Sequence, residues 1–440
     1  MVAYMGRRQI LRGLPLWVAL SACDNSGLVN WRDTSCGGAG QGSAGSDSNL
    51  SAAGDGGAAG TADSGAVGTN PDQAGICPDD DGSAAAFTLA GLGLSLPDQQ
   101  LDAGMADAGS TATGDAGGAG AATPDPTVLE FAGLALPSLV GWAAQPGLGT
   151  ATTIGGAAGP VVTAHDADEL IDFASRPEPL VIRVCGTLRV PQLRVSSHKT
   201  LLGAGSAATL EGGISIGGGT DYVRNVVIAN LRVNAAFSNV SLEAIRIDHA
   251  HHVWLDHAEL FDAAGDGALD VINGSDFVSV SWTKFHFTAN TPDSEHRFAF
   301  RIGDNNLPDD VAIAQDRGHL NVTLHHDWFA DDVRQRAPRA RFGNVHVYDT
   351  YYTVSSTPDD WLVWASTESR VFLENDYFLR VNNPHELNTP DAQLLAIGNI
   401  YDGATGSMQS TNGAFVPPYS YTADPALDVP ALVMQGIGPH

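Results

Sequence analysis

The sequence predicts an all-β domain wound as a parallel β-helix, and three observations predict it. Short β-branched runs recur at residues 180–184, 225–231, 252–257, 277–282, 298–302, 320–325, 344–348, 370–375 and 393–399. From Asn225 onward their starts fall roughly every 21 to 27 residues, the period of one supersecondary unit stacked on its neighbours. The segments between runs are short, polar and rich in Gly and Asn, and they carry no helical periodicity. Leucine-rich repeats would need a leucine signature that is absent, and propeller blades would need about four strands in a longer repeat. A β-sandwich is the competing architecture.

Three segments precede or make up this domain. Residues 1–23 read as an export signal: Arg7 and Arg8 lead into a short apolar run from Leu14 to Leu20, too short to span a bilayer. The twin arginines resemble a twin-arginine signal, and Leu20-Ser-Ala-Cys23 resembles a lipobox, which makes Cys23 the expected lipidation site. An ordinary secretory signal with a chance cysteine is the alternative, and both readings take the protein out of the cytoplasm. Residues 24–127 form an acidic linker dominated by Gly, Ala, Ser, Thr and Asp, which cannot bury enough apolar surface to offset chain entropy and is read as a disordered tether. Apolar patches at 86–96 and 128–139 are expected to dock locally. The β-helix occupies residues 128–440. One helix is expected from Asp166 to Ser175, with Asp166 as N-cap and Glu169 in the first turn, covering the N-terminal end of the core.

Export permits disulfides. With Cys23 lipidated, Cys36 and Cys77 are the expected pair, and Cys185, in an apolar run, reads as a buried free thiol. No cysteine or histidine spacing suggests zinc.

Against 50 Asp and Glu stand 22 Lys and Arg, a net charge of −28, which leaves no broad basic surface for nucleic acid. An acidic ligand would have to meet a local arginine cluster or a bound cation. Both ingredients lie between Asp266 and Arg341: Asp266-Gly-Ala-Leu-Asp270 at one end and Arg336-Ala-Pro-Arg-Ala-Arg341 at the other. A carboxylate pair within one coil is the hard oxygen set that suits calcium.

Several motifs occur in one order over some two hundred residues: Thr152-Thr-Ile-Gly-Gly156, Lys199-Thr-Leu-Leu-Gly-Ala-Gly-Ser206, Val253-Trp-Leu-Asp-His257, Asp266-Gly-Ala-Leu-Asp270, His325-His326, the Arg336–Gly343 stretch and Val345-His-Val-Tyr348. Together they make the region from Gly141 to about Tyr352 resemble the pectate lyase family of right-handed parallel β-helices. The resemblance implies calcium held by Asp266, Asp270 and Glu243, the last at a position where the family usually has Asp. It implies Arg336 as the base of a β-elimination and Arg341 as the group that binds the substrate carboxylate. It also implies that Asp256, His257, His325 and His326 serve buried hydrogen bonding between coils.

Two departures from the family stand out. Its lysine in a His-x-Lys stretch is missing, since this chain has only Lys199 and Lys284. Arg297 is the expected substitute and Arg301 the next candidate. Asp327, Asp349 and Thr350 stand where the family usually stacks asparagines, so these coils are expected to be less regular. The resulting expectation is an exported, lipid-anchored, monomeric pectate lyase acting on de-esterified polygalacturonate with calcium. A pectin lyase acting on methylated polymer without calcium, and a non-catalytic polysaccharide-binding β-helix, are the rivals. Trp361 and Trp364 could stack on sugar rings or pack internally, and the tail from Pro417 is expected to run along the outside.

Overall fold

The computed structural model describes residues 129–131, 134–136, 138–237, 243–263, 265, 267–293, 295–304, 314–330, 332–354 and 360–440. The export segment with Cys23, the tether, Cys36, Cys77, Asp266 and Asp331 lie outside the described residues. Among the described residues no helix is long and apolar enough to cross a membrane.

Three parallel faces wind around one core. The second face is a ten-stranded sheet in which Val223–Ala229, Ala250–Asp256, Asp276–Ser281, Val322–His325, Asn344–Tyr348, Arg370–Glu374 and Gln393–Ile397 stack in order. The first face stacks Ile245–Asp248, Gly267–Ile272, Phe298–Ile302, Arg339–Arg341, Val363–Ser366 and His385–Leu387. The third stacks two- and three-residue strands from Arg232–Asn234 to Ile400–Asp402. First and third faces join through the long strand Thr209–Gly217, which pairs with Arg232–Asn234 near its start and with Ile245–Asp248 near its end.

Side-chain alternation along each strand explains the stacking. On the second face Val226, Val253, Val278, Val322, Val345, Val371 and Leu394 fall in one register row, and Ile228, Leu255, Val280, Leu324, Val347 and Leu373 in the next. All are buried in a single core, each contributing about 1.5–3 kcal/mol on burial. On the third face Phe285, Phe329, Tyr352, Phe378 and Tyr401 form a ring stack with centroids 4.8, 5.2, 4.3 and 5.3 Å apart. A slip of one residue would turn either row to the outside, so the repeats fix the register.

Seven of the nine expected runs belong to the second face and one, residues 180–184, to its N-terminal extension. Phe298–Ile302 does not continue the series: it pairs with Gly267–Ile272 and Arg339–Arg341 on the first face. The even spacing is therefore broken between Asp276–Ser281 and Val322–His325, where one coil carries long excursions.

Helix α1 (Ala167–Ser175) begins as expected: Asp166 accepts from the Glu169 amide at 2.9 Å, and Glu169 Oε2 accepts from the His165 amide at 2.8 Å. Its buried face, Leu170 and Ala174, joins the core at the first coils and closes that end. Residues Leu129–Phe131 and Leu134–Leu136 form an antiparallel pair. Cys185 is buried but disulfide-bonded, which corrects the reading of a free thiol; the apolar run predicted its burial, and burial does not distinguish a thiol from half of a bridge.

The turn from the second to the third face repeats in seven successive coils from Val223–Ala229 onward. Asn230, His257, Trp282, His326, Asp349, Asn375 and Gly398 all take left-handed backbone conformations, with φ between 46° and 72°. From Asn230 to Asn375, each turn amide reaches the carbonyl ending the next coil's strand at 3.1–3.4 Å. The backbone is thus regular although asparagine is often absent. At the neighbouring position Asp327 accepts from Thr283 N (2.8 Å) and Asp376 from Thr350 N (3.0 Å), both fully buried. Burial pushes both carboxyls well above the usual range.

The tail runs along the outside, as expected. Tyr419 meets Thr323 Oγ1 (2.7 Å) and His346 (2.9 Å), helix α2 (Val429–Gly436) packs Val429 and Val433 against Tyr351, and His440 N donates to Asn230 Oδ1 at 2.7 Å.

Candidate active site

On the first face Ile245, Ile247, Leu269, Val271, Phe300 and Ile302 point into the core, so the residues between them point out. The outward row reads Arg246, Asp270, Arg301, Arg339 and Trp364, each the register partner of the next. Adjacent coils lie about 4.8 Å apart, which sets these charged groups side by side.

Asp270 is fully buried and accepts from both Nε (3.1 Å) and Nη2 of Arg301, itself 5% exposed. Arg301 Nη2 also lies 3.7 Å from Glu243 Oε1, which Arg246 Nη1 approaches at 3.4 Å. Arg246 in turn holds Asp248 at 3.0 Å. Burial raises the Glu243 carboxyl well above the usual range and the like charge of Asp270 raises it further, against the pull of Arg246 and Arg301. Asp270 Oδ1 is buried with no hydrogen-bond partner. The unpaired Asp270 oxygen and the Glu243 carboxylate near it are hard oxygen donors of the kind that suit calcium, although Arg301 and Arg246 already lie against them.

The base expected at Arg336 sits just before the next first-face strand. Its backbone is left-handed (φ 59°), its carbonyl accepts from Phe300 N at 2.5 Å, and its Cζ stacks 4.1 Å from the Phe298 ring. Arg341 donates from Nη1 to the Asp304 carbonyl at 3.0 Å. Arg297 pairs through Nη1 with Asp332 Oδ2 at 3.1 Å. The structure therefore brings Arg301 to the Asp270 and Glu243 carboxylates and Arg297 to Asp332. Asp256 is fully buried between His257 Nδ1 (2.7 Å) and Ser281 Oγ (2.5 Å), the inter-coil role expected of it. Trp364 is half-buried under the Arg339 guanidinium, 4.9 Å away.

Sequence reading assigned no role to Arg246 or Arg339. For Arg246 the signal was present: Ile245-Arg-Ile-Asp248 alternates apolar and charged residues, three residues after Glu243. For Arg339 it lay in the central arginine of the Arg336–Arg341 stretch.

Fold and row together define a parallel β-helix that displays carboxylates and guanidiniums from successive coils on one outer face. The family model for pectate lyase matches residues 89–420, and the chain belongs to that family. It is 29% identical over 212 residues to the pectate trisaccharide-lyase of Thermotoga maritima, a match covering 46% of this chain and spanning only about half, 53%, of that relative. With the pectate trisaccharide-lyase of Bacillus licheniformis the identity is 27% over 322 residues, covering 68% of this chain and 86% of the relative. Among solved structures, a pectate lyase from Bacillus sp. N165 in complex with trigalacturonate superposes with a TM-score of 0.56 at 22% identity, over 68% of this chain and 98% of its own. A pectate lyase from Acidovorax avenae gives 0.56 at 18% identity, over 72% and 98%.

Proposed function

We propose that the protein is a pectate lyase that cleaves de-esterified polygalacturonate by β-elimination. The single observation that carries this reading is the outward row itself: buried carboxylates beside guanidiniums, with Arg336 and Arg341 on the adjoining coil, in a chain of this family. The reaction removes the proton on the carbon next to the substrate carboxylate, develops enediolate charge, and expels the glycosidic oxygen to leave an unsaturated uronide. Arg336 takes the proton; a guanidinium can do so only where neighbouring positive charge opposes its own protonation, and Arg301, Arg339 and Arg341 are of that sign. Arg341 binds the substrate carboxylate. Arg301 supplies the stabilising cation that the family draws from lysine, a role in which its contacts with Asp270 favour it over Arg297. Glu243, Asp266 and Asp270 would hold calcium, which when bound acidifies the proton next to the carboxylate it contacts. We further propose export, lipid anchoring through Cys23 and a monomeric state, as the N-terminal sequence and the family reading suggest.

A calcium-independent lyase is the second reading, favoured by the guanidinium of Arg301 lying against both Asp270 and Glu243. The test is ultraviolet absorbance of unsaturated uronide as the full chain acts on polygalacturonate, with calcium or with a chelator. Product that forms only with calcium, and falls by a factor of about 10²–10⁴ in Arg336→Ala, supports the first reading. Product unaffected by the chelator selects the second, and no product from either methylated or de-esterified polymer overturns both.

A further inference from the structure

We infer that a transition-metal ion of the zinc class binds where the C-terminal tail crosses the turns between the second and third faces, held by His326, Asp349 and Asp424. This site is separate from the outward row of the first face and does not depend on the activity proposed above. His326 Nε2 lies 2.9 Å from Asp424 Oδ2 and 3.8 Å from Asp349 Oδ2. One donor atom from each of the three residues falls within 4.8 Å of the others. Ligands about 2.0–2.2 Å from a tetrahedral zinc stand roughly 3.4 Å apart, so the three atoms need only small shifts to share one ion.

The second observation is the state of Asp349. Its side chain is fully buried, and Oδ1 has no hydrogen-bond partner, while Oδ2 accepts from the Asp424 amide at 2.9 Å. Among the described residues, the one basic side chain within ion-pair reach of either Asp349 or Asp424 is His326. Asp349 thus brings a fully buried carboxyl with one unpaired oxygen to the cluster, its Oδ2 turned toward the His326 imidazole, and a cation held there would give this group the counter-charge it needs.

The surroundings orient the imidazole as metal ligands are oriented. His326 Nδ1 lies 3.0 Å from His325 Nδ1, so a proton on His326 Nδ1 can be donated there and the Nε2 lone pair turned toward the carboxylates. Trp282 stacks on the ring at 4.3 Å and fixes its plane. Mixed nitrogen and oxygen donors favour zinc or its neighbours over calcium, with water completing the shell on the open side, where Asp424 is 40% exposed. The consequence is structural: Asp424 belongs to the tail, and His326 and Asp349 to two successive turns, so one ion would tie the three together.

The test uses the full chain, stripped with chelator and desalted, then titrated with zinc alone by calorimetry while Tm is followed. The expected result is one equivalent bound that Asp424→Asn and Asp349→Asn each remove. Tm should rise by about 5 °C at a hundredfold excess over Kd in the parent and not in either variant. Glu243→Gln should leave zinc binding unchanged. Because Asp349 is buried, the exposed Asp424→Asn variant carries the decision if Asp349→Asn misfolds. No zinc bound, or zinc bound equally by the parent and Asp424→Asn, overturns the inference.

Discussion

Replacing Arg301 by leucine removes the principal counter-charge of a fully buried carboxylate and keeps most of the side chain's apolar volume. Asp270 loses its Nε and Nη2 contacts and Glu243 loses one of two guanidiniums, leaving Arg246 alone beside the pair. Breaking a buried ion pair from one side costs about 3–5 kcal/mol, because the remaining charge stays desolvated. In a domain of this size that lowers Tm by roughly 6–15 °C. The loss has a pH signature. Without Arg301 the Glu243 carboxyl, already raised in the fold, rises further above its unfolded value of about 4.3. A group whose folded pKa is raised contributes stability below its unfolded pKa and loses it as pH rises. The deficit should therefore be small near pH 4 and largest near pH 8. Thermal unfolding of parent and variant in chelator at both pH values measures it, and Arg301→Leu combined with Asp270→Asn should recover most of the loss. A variant within about 1 °C of the parent at pH 8 would refute the claim that Arg301 neutralises this pair.

Other expectations follow from the coil interior. Burial raises the Asp376 carboxyl in the fold, so its contribution declines as pH rises above its unfolded value of about 3.9; Asp376→Asn should gain a few degrees of Tm on the parent at pH 8 and little at pH 4. Phe329→Ala opens a hole in the ring stack between Phe285 and Tyr352 and should cost about 3–5 kcal/mol, read by thermal or denaturant unfolding. Gly156→Ala would place a Cβ 1.8 Å from the Leu180 carbonyl, against rigid backbone, and is expected to yield little soluble protein on expression.

The second face was legible because its strands are long enough to show alternation and because valine and leucine repeat at matching positions. The third face was not, since strands of two or three residues carry no period of their own; its aromatic stack draws one residue from each coil. The first face was obscured for a different reason. Its outward positions are arginine and aspartate, so Ile245–Asp248 and Arg339–Arg341 do not stand out as β-branched runs. That also explains why Phe298–Ile302, with the most apolar first-face run, was placed in the wrong series. At the site, the carboxylate and arginine residues could be listed from the sequence, but which of Arg297 and Arg301 lies against Asp270 could not. It depends on which side of the strand each leaves, and an excursion of uncertain length lies just upstream. Cys185 shows the same limit, since an apolar run announces burial without naming the covalent partner.

The left-handed turn of the second-to-third corner takes the same form in seven successive coils, whereas the number of residues between a third-face strand and the next first-face strand changes from coil to coil, as between Phe261 and Gly267 and between His286 and Phe298. One corner is thus standardised while the opposite rim varies in length, and that rim leads directly into the strands bearing Arg246, Asp270, Arg301 and Arg339. The molecule separates an invariant hinge line from an editable margin. Segments exchanged between these strands would change the sequence leading into the charged row without altering how one coil seats on the next, so ligand preference and stacking can diverge independently.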